Sequence, residues 1–75
     1  MTVNRFKKEI ILRLEKREIA VNVIRVKGFK DNQVESVEVS IYSYGSANVL
    51  DAIRDALEEL ELVYGIFVNK RLVEF

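Results

Sequence analysis

The stretch from Ser46 to Tyr64 constrains the fold more than any other, because its apolar residues recur at helical spacing. The apolar stripe contains Val49, Ile53, Ala56, Leu57 and Leu60, and it is widened by Leu50, Ala52 and Val63. Charged residues lie on the opposite side, at Asp51, Arg54, Asp55, Glu58 and Glu61. Because a helix with one apolar face is stable only when another layer covers that face, this stretch predicts a helix packed on a sheet.

Polar residues and a glycine indicate where this helix begins and ends. Ser46 and Asn48 both suit an N-cap, and capping by Asn48 places Asp51 in the first turn, where the helix dipole favours a carboxylate. Gly65 provides the stop, since glycine most easily adopts the left-handed conformation that follows a last helical turn.

A second amphipathic helix is predicted at the start of the chain. It begins at Thr2 or Asn4, either of which can act as the cap, and runs to about Glu18. Leu12 faces away from its apolar stripe, and one exposed leucine is ordinary on a protein surface. The stripe consists of Val3, Phe6, Ile10 and Leu14, with Ile11 at its flank.

The residues from about 20 to 29 favour a β-strand, because β-branched side chains dominate them. The alternation of apolar and polar residues slips between Val23 and Ile24, which predicts either a β-bulge or a strand covered on both faces. Gly28 marks a second irregularity near the following turn.

Two further extended segments follow. Lys30 to Gln33 predicts a turn, and hence a hairpin, that leads into a strand in which Val37, Val39 and Ile41 alternate with polar residues. Residues 66–75 fit one last strand, which we prefer, or a second hairpin that turns at Asn69 and Lys70.

The predicted fold is therefore a single α+β domain over residues 1–75, a two-layer sandwich with the order α-β-β-α-β. Two antiparallel helices are expected to pack on one face of a three-stranded mixed sheet, whose last two strands are joined by a right-handed crossover. This arrangement brings a basic cluster at the start of the first helix close to an acidic cluster at the end of the second. The clusters are Arg5, Lys7 and Lys8 on the first helix, and Glu58, Glu59 and Glu61 on the second.

The residue types of the chain make an enzyme improbable. Cysteine and histidine are absent, which removes the commonest nucleophilic, general-base and metal-ligating side chains. The only acidic constellation, Asp51, Asp55 and Glu58, suits a solvated helix surface better than a cation site. We expect no cofactor, no metal and no small-molecule substrate. Because no apolar run approaches a membrane span, we expect a soluble, cytoplasmic protein that does not bind a membrane.

The charges are sorted along the chain although their sum is zero. Residues 1–30 contain nine Lys and Arg against three acids, whereas residues 31–75 contain three against nine. Either the halves neutralise each other within one domain, or the basic half binds a partner. The candidate partner-binding residues, which could contact RNA or DNA, are Arg13, Lys16, Arg17, Arg25, Lys27, Lys30, Tyr42 and Tyr44.

We expect the chain to be a small non-enzymatic module for protein interaction or self-association, with nucleic-acid binding as the alternative. Three strands leave two open edges, and no proline blocks either of them. The apolar residues Leu72, Val73 and Phe75 are expected to lie beyond what two short helices can cover, and so to bury themselves in a homo-oligomer, most simply a dimer.

Overall fold

The fold is described here from a computed structural model, which covers residues 1–42 and 49–74. Two helices and a mixed three-stranded sheet make it a small α+β fold, as the sequence predicts. The chain order is α1 (Val3–Lys16), β1 (Val21–Lys27), β2 (Gln33–Val34), β3 (Ser36–Ile41), α2 (Val49–Tyr64), β4 (Phe67–Val68), a 3-10 helix (Lys70–Leu72) and β5 (Val73–Glu74).

The main sheet has the strand order β1-β3-β5, with β3 antiparallel to β1 and parallel to β5. The irregularity predicted in β1 is present, but it lies one residue earlier than the sequence indicated. Val21 pairs with Ile41 and Val23 with Ser40, so Asn22 is the extra residue of a bulge. The side chains of Asn22 and Val23 are both exposed as a result, which explains the slipped alternation.

The predicted turn between β1 and β3 is confirmed. Asp31 and Asn32 both have positive φ, at 52° and 59°, as a tight two-residue hairpin turn requires. Lys30 and Gln33 close it with two backbone hydrogen bonds of 2.9 Å each. Asp and Asn suit these positions because they tolerate the left-handed conformation better than most residues.

The single strand preferred for residues 66–75 is wrong, and so is the hairpin. β4 pairs in parallel with β2, and these two strands form a separate two-stranded sheet. Asn69 then caps the 3-10 helix by accepting a hydrogen bond of 3.2 Å from the Arg71 amide, and β5 continues to β3. Each short strand therefore has a partner from a distant part of the chain, which local alternation cannot reveal.

The core lies between the helices and the covered face of the sheets. Along β3, Val37 and Val39 are buried while Glu38 and Ser40 are exposed, so only one face of this strand is covered. The prediction that Val63 widens the apolar stripe of α2 is wrong, because this side chain is 63% exposed. The buried set is Phe6, Ile10, Leu14, Ile19, Val34, Val37, Val39, Val49, Ile53, Ala56, Leu57, Leu60, Ile66, Val68 and Val73.

The helix ends follow local capping rules. Thr2, rather than Asn4, caps α1, and its hydroxyl accepts a hydrogen bond of 3.2 Å from the Arg5 amide. Gly65 ends α2 with a φ of 68°, as predicted. The predicted caps Ser46 and Asn48 lie outside the described residues. In the part of the chain that the structure describes, no helix has the length and apolarity to cross a membrane.

Candidate interaction surfaces

Charged side chains on α1 and α2 form one network between the helices. Arg13 contacts Glu9 on its own helix and Glu59 on α2, where its Nε lies 3.1 Å from Oε2. Arg17 donates to the other Glu59 oxygen at 2.6 Å. The Tyr64 hydroxyl donates to Glu9 Oε1 at 3.3 Å. These contacts are those of neighbouring helices that run in opposite directions.

The network changes the acidity of both carboxyl groups. A hydrogen bond from Arg13 lowers the pKa of Glu9, with smaller contributions from Tyr64 and Arg5, while partial desolvation acts in the opposite sense. A hydrogen bond from Arg17 likewise lowers the pKa of Glu59, and the charges of both arginines add to this effect. Both carboxylates are therefore stabilised in their ionised form by the neighbouring arginines.

The predicted pairing of the helix ends is only partly correct. The basic cluster was placed at Arg5, Lys7 and Lys8, but Arg5 pairs with Glu9 of its own helix at 3.6 Å. Among the described residues, Lys7 and Lys8 form no ion pair with the α2 acids. The reason is helical phase, because the stripe of α1 that faces α2 consists of residues spaced four apart from Glu9.

Glu58 and Glu61, the other two members of the acidic cluster on α2, contact the segment that follows α2. Lys70 lies 2.9 Å from the carboxylate of Glu61 and 4.0 Å from that of Glu58. Glu61 also accepts a hydrogen bond of 3.3 Å from the Val68 amide. These contacts hold the 3-10 helix against α2, a role that the sequence analysis did not assign to either acid.

The predicted partner-binding cations are not brought together into one basic surface. Arg13 and Arg17 are engaged with Glu59, and Arg25 lies 3.6 Å from Glu38 on the exposed face of the sheet. Lys27 borders a shallow hollow shared with three acids, Glu35, Glu38 and Glu74. Lys16, Lys27 and Lys30 have no carboxylate within ion-pair distance in the described part of the chain.

Of the two tyrosines among the candidate partner-binding residues, Tyr42 lies within the described residues and Tyr44 does not. Tyr42 is 69% exposed, so it does not pack into the core. It lies beside Ala20, at the end of the sheet opposite Lys27, because its amide donates to the Ala20 carbonyl. Six residues of β3 therefore separate it from the level of Lys27, a distance of about 20 Å. Tyr44 lies outside the described residues.

Of the residues predicted to mediate self-association, Val73 is the one whose side chain lies in the described part of the chain. Val73 is only 9% exposed, because β5 pairs with β3 and places this side chain in the core. The expectation that Val73 is left uncovered by the helices is therefore wrong. The side chain of Leu72 and all of Phe75 lie outside the described residues.

Exposed apolar side chains occur instead around the turn between α2 and β4. Leu62 is 87% exposed and Phe67 is 64% exposed, and Val63 lies between them in the chain. Neither Leu62 nor Phe67 was among the predicted contact residues. The exposure of Leu62 could have been predicted, because this residue falls outside the apolar stripe of α2. The exposure of Phe67 could not, because the direction of its side chain depends on the pairing of β4.

The longest open feature of the fold is the free edge of β1. This seven-residue strand pairs with β3 on one side only, whereas the opposite edge of the sheet is the two-residue strand β5. Within the described residues, no backbone hydrogen bond covers the outer side of β1. Unpaired amide and carbonyl groups on such an edge can bind another extended strand.

No cation site is evident at the acids singled out in the sequence. Across residues 1–42 and 49–74, no three acidic side chains gather closely enough to hold a metal ion. Asp51, Asp55 and Glu58 are exposed along α2, with Glu58 directed toward Lys70.

Comparison of the chain with protein-family models, with curated proteins and with solved structures finds no match.

Proposed function

We propose that this chain is a small, non-enzymatic module for protein interaction, and that it acts by self-association. The observation that carries the proposal is the open edge of β1, a full-length strand with no partner on its outer side within the described residues. Pairing of such an edge with another strand is a common route to protein assembly. The exposed side chains of Leu62 and Phe67 provide a second surface for protein contact.

The ion pairs that basic residues form within the chain support the same proposal. Arg13, Arg17 and Arg25 each have a carboxylate partner in the chain, so a phosphate must compete with that partner for the guanidinium. The net charge of zero also provides no long-range attraction for a polyanion. Protein contact requires neither a basic surface nor a catalytic site.

Sedimentation equilibrium over a range of concentrations tests the proposal directly. We expect the average mass to rise from that of the monomer toward that of the dimer as concentration increases. A mass that stays at the monomer value up to about 1 mM, which excludes any association of physiological strength, contradicts self-association.

Nucleic-acid binding is the second candidate, and one observation favours it. Lys16, Lys27 and Lys30 are exposed and have no carboxylate partner among the described residues. If these lysines contact phosphates, affinity for RNA or DNA falls steeply as salt rises. The variant K27A/K30A should then reduce the slope of log affinity against log salt by about 2. A titration without salt dependence removes this candidate.

A further inference from the structure

The backbone of β1 alternates in direction, and two hydrogen bonds show which residues point to the open edge. The Ala20 carbonyl accepts from the Tyr42 amide, and the Lys27 carbonyl accepts from the Glu35 amide, both at 3.1 Å. These carbonyls therefore face β3. Because backbone groups of successive residues point to opposite sides of a strand, Arg25 also faces β3, whereas Ile24 and Val26 present their amides and carbonyls to the outside.

The usable part of this edge is short and sharply bounded. The bulge at Asn22 interrupts the alternation on one side. Gly28, with a φ of 71°, ends the extended conformation on the other side. Ile24 and Val26 are therefore the pair of adjacent open positions that a second strand can bind in regular geometry.

We infer that a second copy of this chain occupies the edge, with the two β1 strands antiparallel and related by a two-fold axis that passes beside Arg25. In this register Ile24 of one copy lies opposite Val26 of the other, and each such pair exchanges two backbone hydrogen bonds. The dimer thus gains four hydrogen bonds and joins the two main sheets into one of six strands. This inference rests on the proposed self-association and specifies the surface that carries it.

Other symmetric registers satisfy fewer backbone groups. With Ile24 opposite its own copy, Val26 faces Asn22, whose backbone is turned toward β3 at the bulge, so only the central pair bonds regularly. With Val26 opposite its own copy, Ile24 faces Gly28, where the strand has ended. The register centred on Arg25 is the one that uses both open residues of each copy.

The side chains also suit this register. On the covered side of the sheet, Ile24 and Val26 are only partly buried in the monomer, and pairing places the two apolar residues of each copy side by side. On the exposed side, Arg25 faces its own copy across the axis, but Glu38 accompanies each arginine at 3.6 Å. The four charges at the axis therefore sum to zero, but the two arginines are the pair that face each other directly and still repel.

The facing arginines determine how salt affects the dimer. Like charges directly opposite each other weaken a strand pair, and added salt screens this repulsion. We expect the dimer to become tighter as salt rises. Phosphate binding has the opposite salt dependence, so the same series separates the two functions.

Backbone N-methylation tests the edge without altering any side chain. A full-length synthetic chain with N-methyl-Ile24 loses two of the four intermolecular hydrogen bonds, and we expect its dimer to dissociate about thirtyfold more readily. The matched control is N-methyl-Val3, which has the same mass and changes an amide in the first turn of α1, where helical amides have no intrahelical acceptor. This control should dimerise as the unmodified chain does.

The possible results separate this inference from the proposed function. If N-methyl-Ile24 dimerises normally while L62K/F67K is monomeric, self-association stands but the β1 contact is wrong. If the unmodified chain remains monomeric at about 1 mM, both are wrong. Circular dichroism and thermal unfolding should show that each chain is folded; if N-methyl-Ile24 unfolds, the charge-swap experiment below decides the question.

A charge swap tests the register. The variant R25E/E38R keeps an ion pair within each chain but reverses the charge at the axis. When it is mixed with the natural chain, the guanidinium of Arg25 faces the carboxylate introduced by R25E, so mixed dimers should exceed the share expected for random pairing. Because the swap leaves the mass of the chain unchanged, the variant is labelled with ¹⁵N, and native mass spectrometry then distinguishes the three dimers by mass. Random pairing overturns the inference that Arg25 lies at the axis.

Discussion

Glu18 occupies a backbone position that normally belongs to glycine. Its φ is 62°, and the amides of Glu18 and Ile19 donate to the carbonyls of Glu15 and Leu14, which completes a Schellman motif after α1. A side chain costs free energy in this left-handed conformation because Cβ crowds the following carbonyl. The position is therefore a local point of strain in an otherwise regular helix end.

We expect Glu18→Gly to raise the free energy of unfolding by about 0.5–1 kcal/mol, since it removes this crowding at some cost in unfolded-chain entropy. Glu15→Gly is the matched control, because it makes the same replacement within α1 and should lower stability by about 0.5–1 kcal/mol. Urea unfolding monitored by circular dichroism measures both. A loss of stability in both variants contradicts the assigned strain.

Within residues 1–42 and 49–74, the two glycines with positive φ are Gly28 and Gly65, and their surroundings differ. An added Cβ at Gly28 meets the Glu35 Cβ at 2.4 Å, whereas at Gly65 nothing lies within 4 Å. We expect Gly65→Ala to cost roughly 1–2 kcal/mol from backbone strain alone. Gly28→Ala should cost a further 1–3 kcal/mol or so from overpacking. Equal losses in urea unfolding mean that the contact with Glu35 relaxes freely.

Between elements, the Glu59 network couples α1 to α2. For the partly exposed pair of Arg17 and Glu59, a double-mutant cycle with Arg17→Ala and Glu59→Gln should give a coupling energy of about 0.2–1 kcal/mol. Lys8→Ala with Glu59→Gln serves as the control cycle and should give almost no coupling, because Lys8 forms no ion pair among the described residues. If the Arg17–Glu59 cycle is as additive as the control cycle, the contact between Arg17 and Glu59 is contradicted.

The same network predicts how stability depends on pH. The pKa values of Glu9 and Glu59 are lowered in the folded chain from an ordinary value of 4.5. Their contribution is therefore complete above pH 4.5, and it is lost as pH falls through the lowered pKa values. Between pH 7 and pH 2, the free energy of unfolding should fall less in the Glu9→Gln/Glu59→Gln variant than in the natural chain. An identical fall in both chains contradicts the prediction.

At the scale of the whole molecule, stability depends on a core shared by both helices and both sheets. Leu57 is fully buried, so Leu57→Ala should cost roughly 2–5 kcal/mol, a large fraction of the stability of so small a domain. Leu62→Ala changes the same residue type five positions further along α2, at an exposed position, and should stay within about 0.5 kcal/mol. Comparable losses in the two variants mean that the core is assigned incorrectly.

Residue patterns were sufficient for the parts of the fold whose causes are local. The apolar stripe of α2 around Leu57, the stop at Gly65 and the tight turn at Asp31 and Asn32 were all predicted correctly. Each depends on side-chain periodicity or on backbone conformations that particular residues adopt easily. A bulge in β1 was one of the two alternatives that the slipped alternation left open, and it lies one residue earlier than the slip indicated.

The candidate surfaces were predictable only in part. Arg25 and Tyr42, two of the candidate partner-binding residues, are exposed. An open sheet edge was anticipated, but its identity as β1 required the strand order. Arg13 and Arg17 could not be recognised as internally paired, because Glu59 lies more than forty positions away in the chain. Contacts at such separation leave no periodic signal in one sequence.

The sequence by itself determined the two helices, the main strands and the α+β class, because local periodicity decides which face of each element must be buried. Only the tertiary structure decided the paths of residues 66–74. The buried apolar residues there, Ile66, Val68 and Val73, do not by themselves show where the segment divides, but β2 and β3 offer separate partners, and satisfying both divides the segment at Asn69. That choice depends on backbone groups brought together by folding, which is why Val73 is buried and Phe67 is exposed.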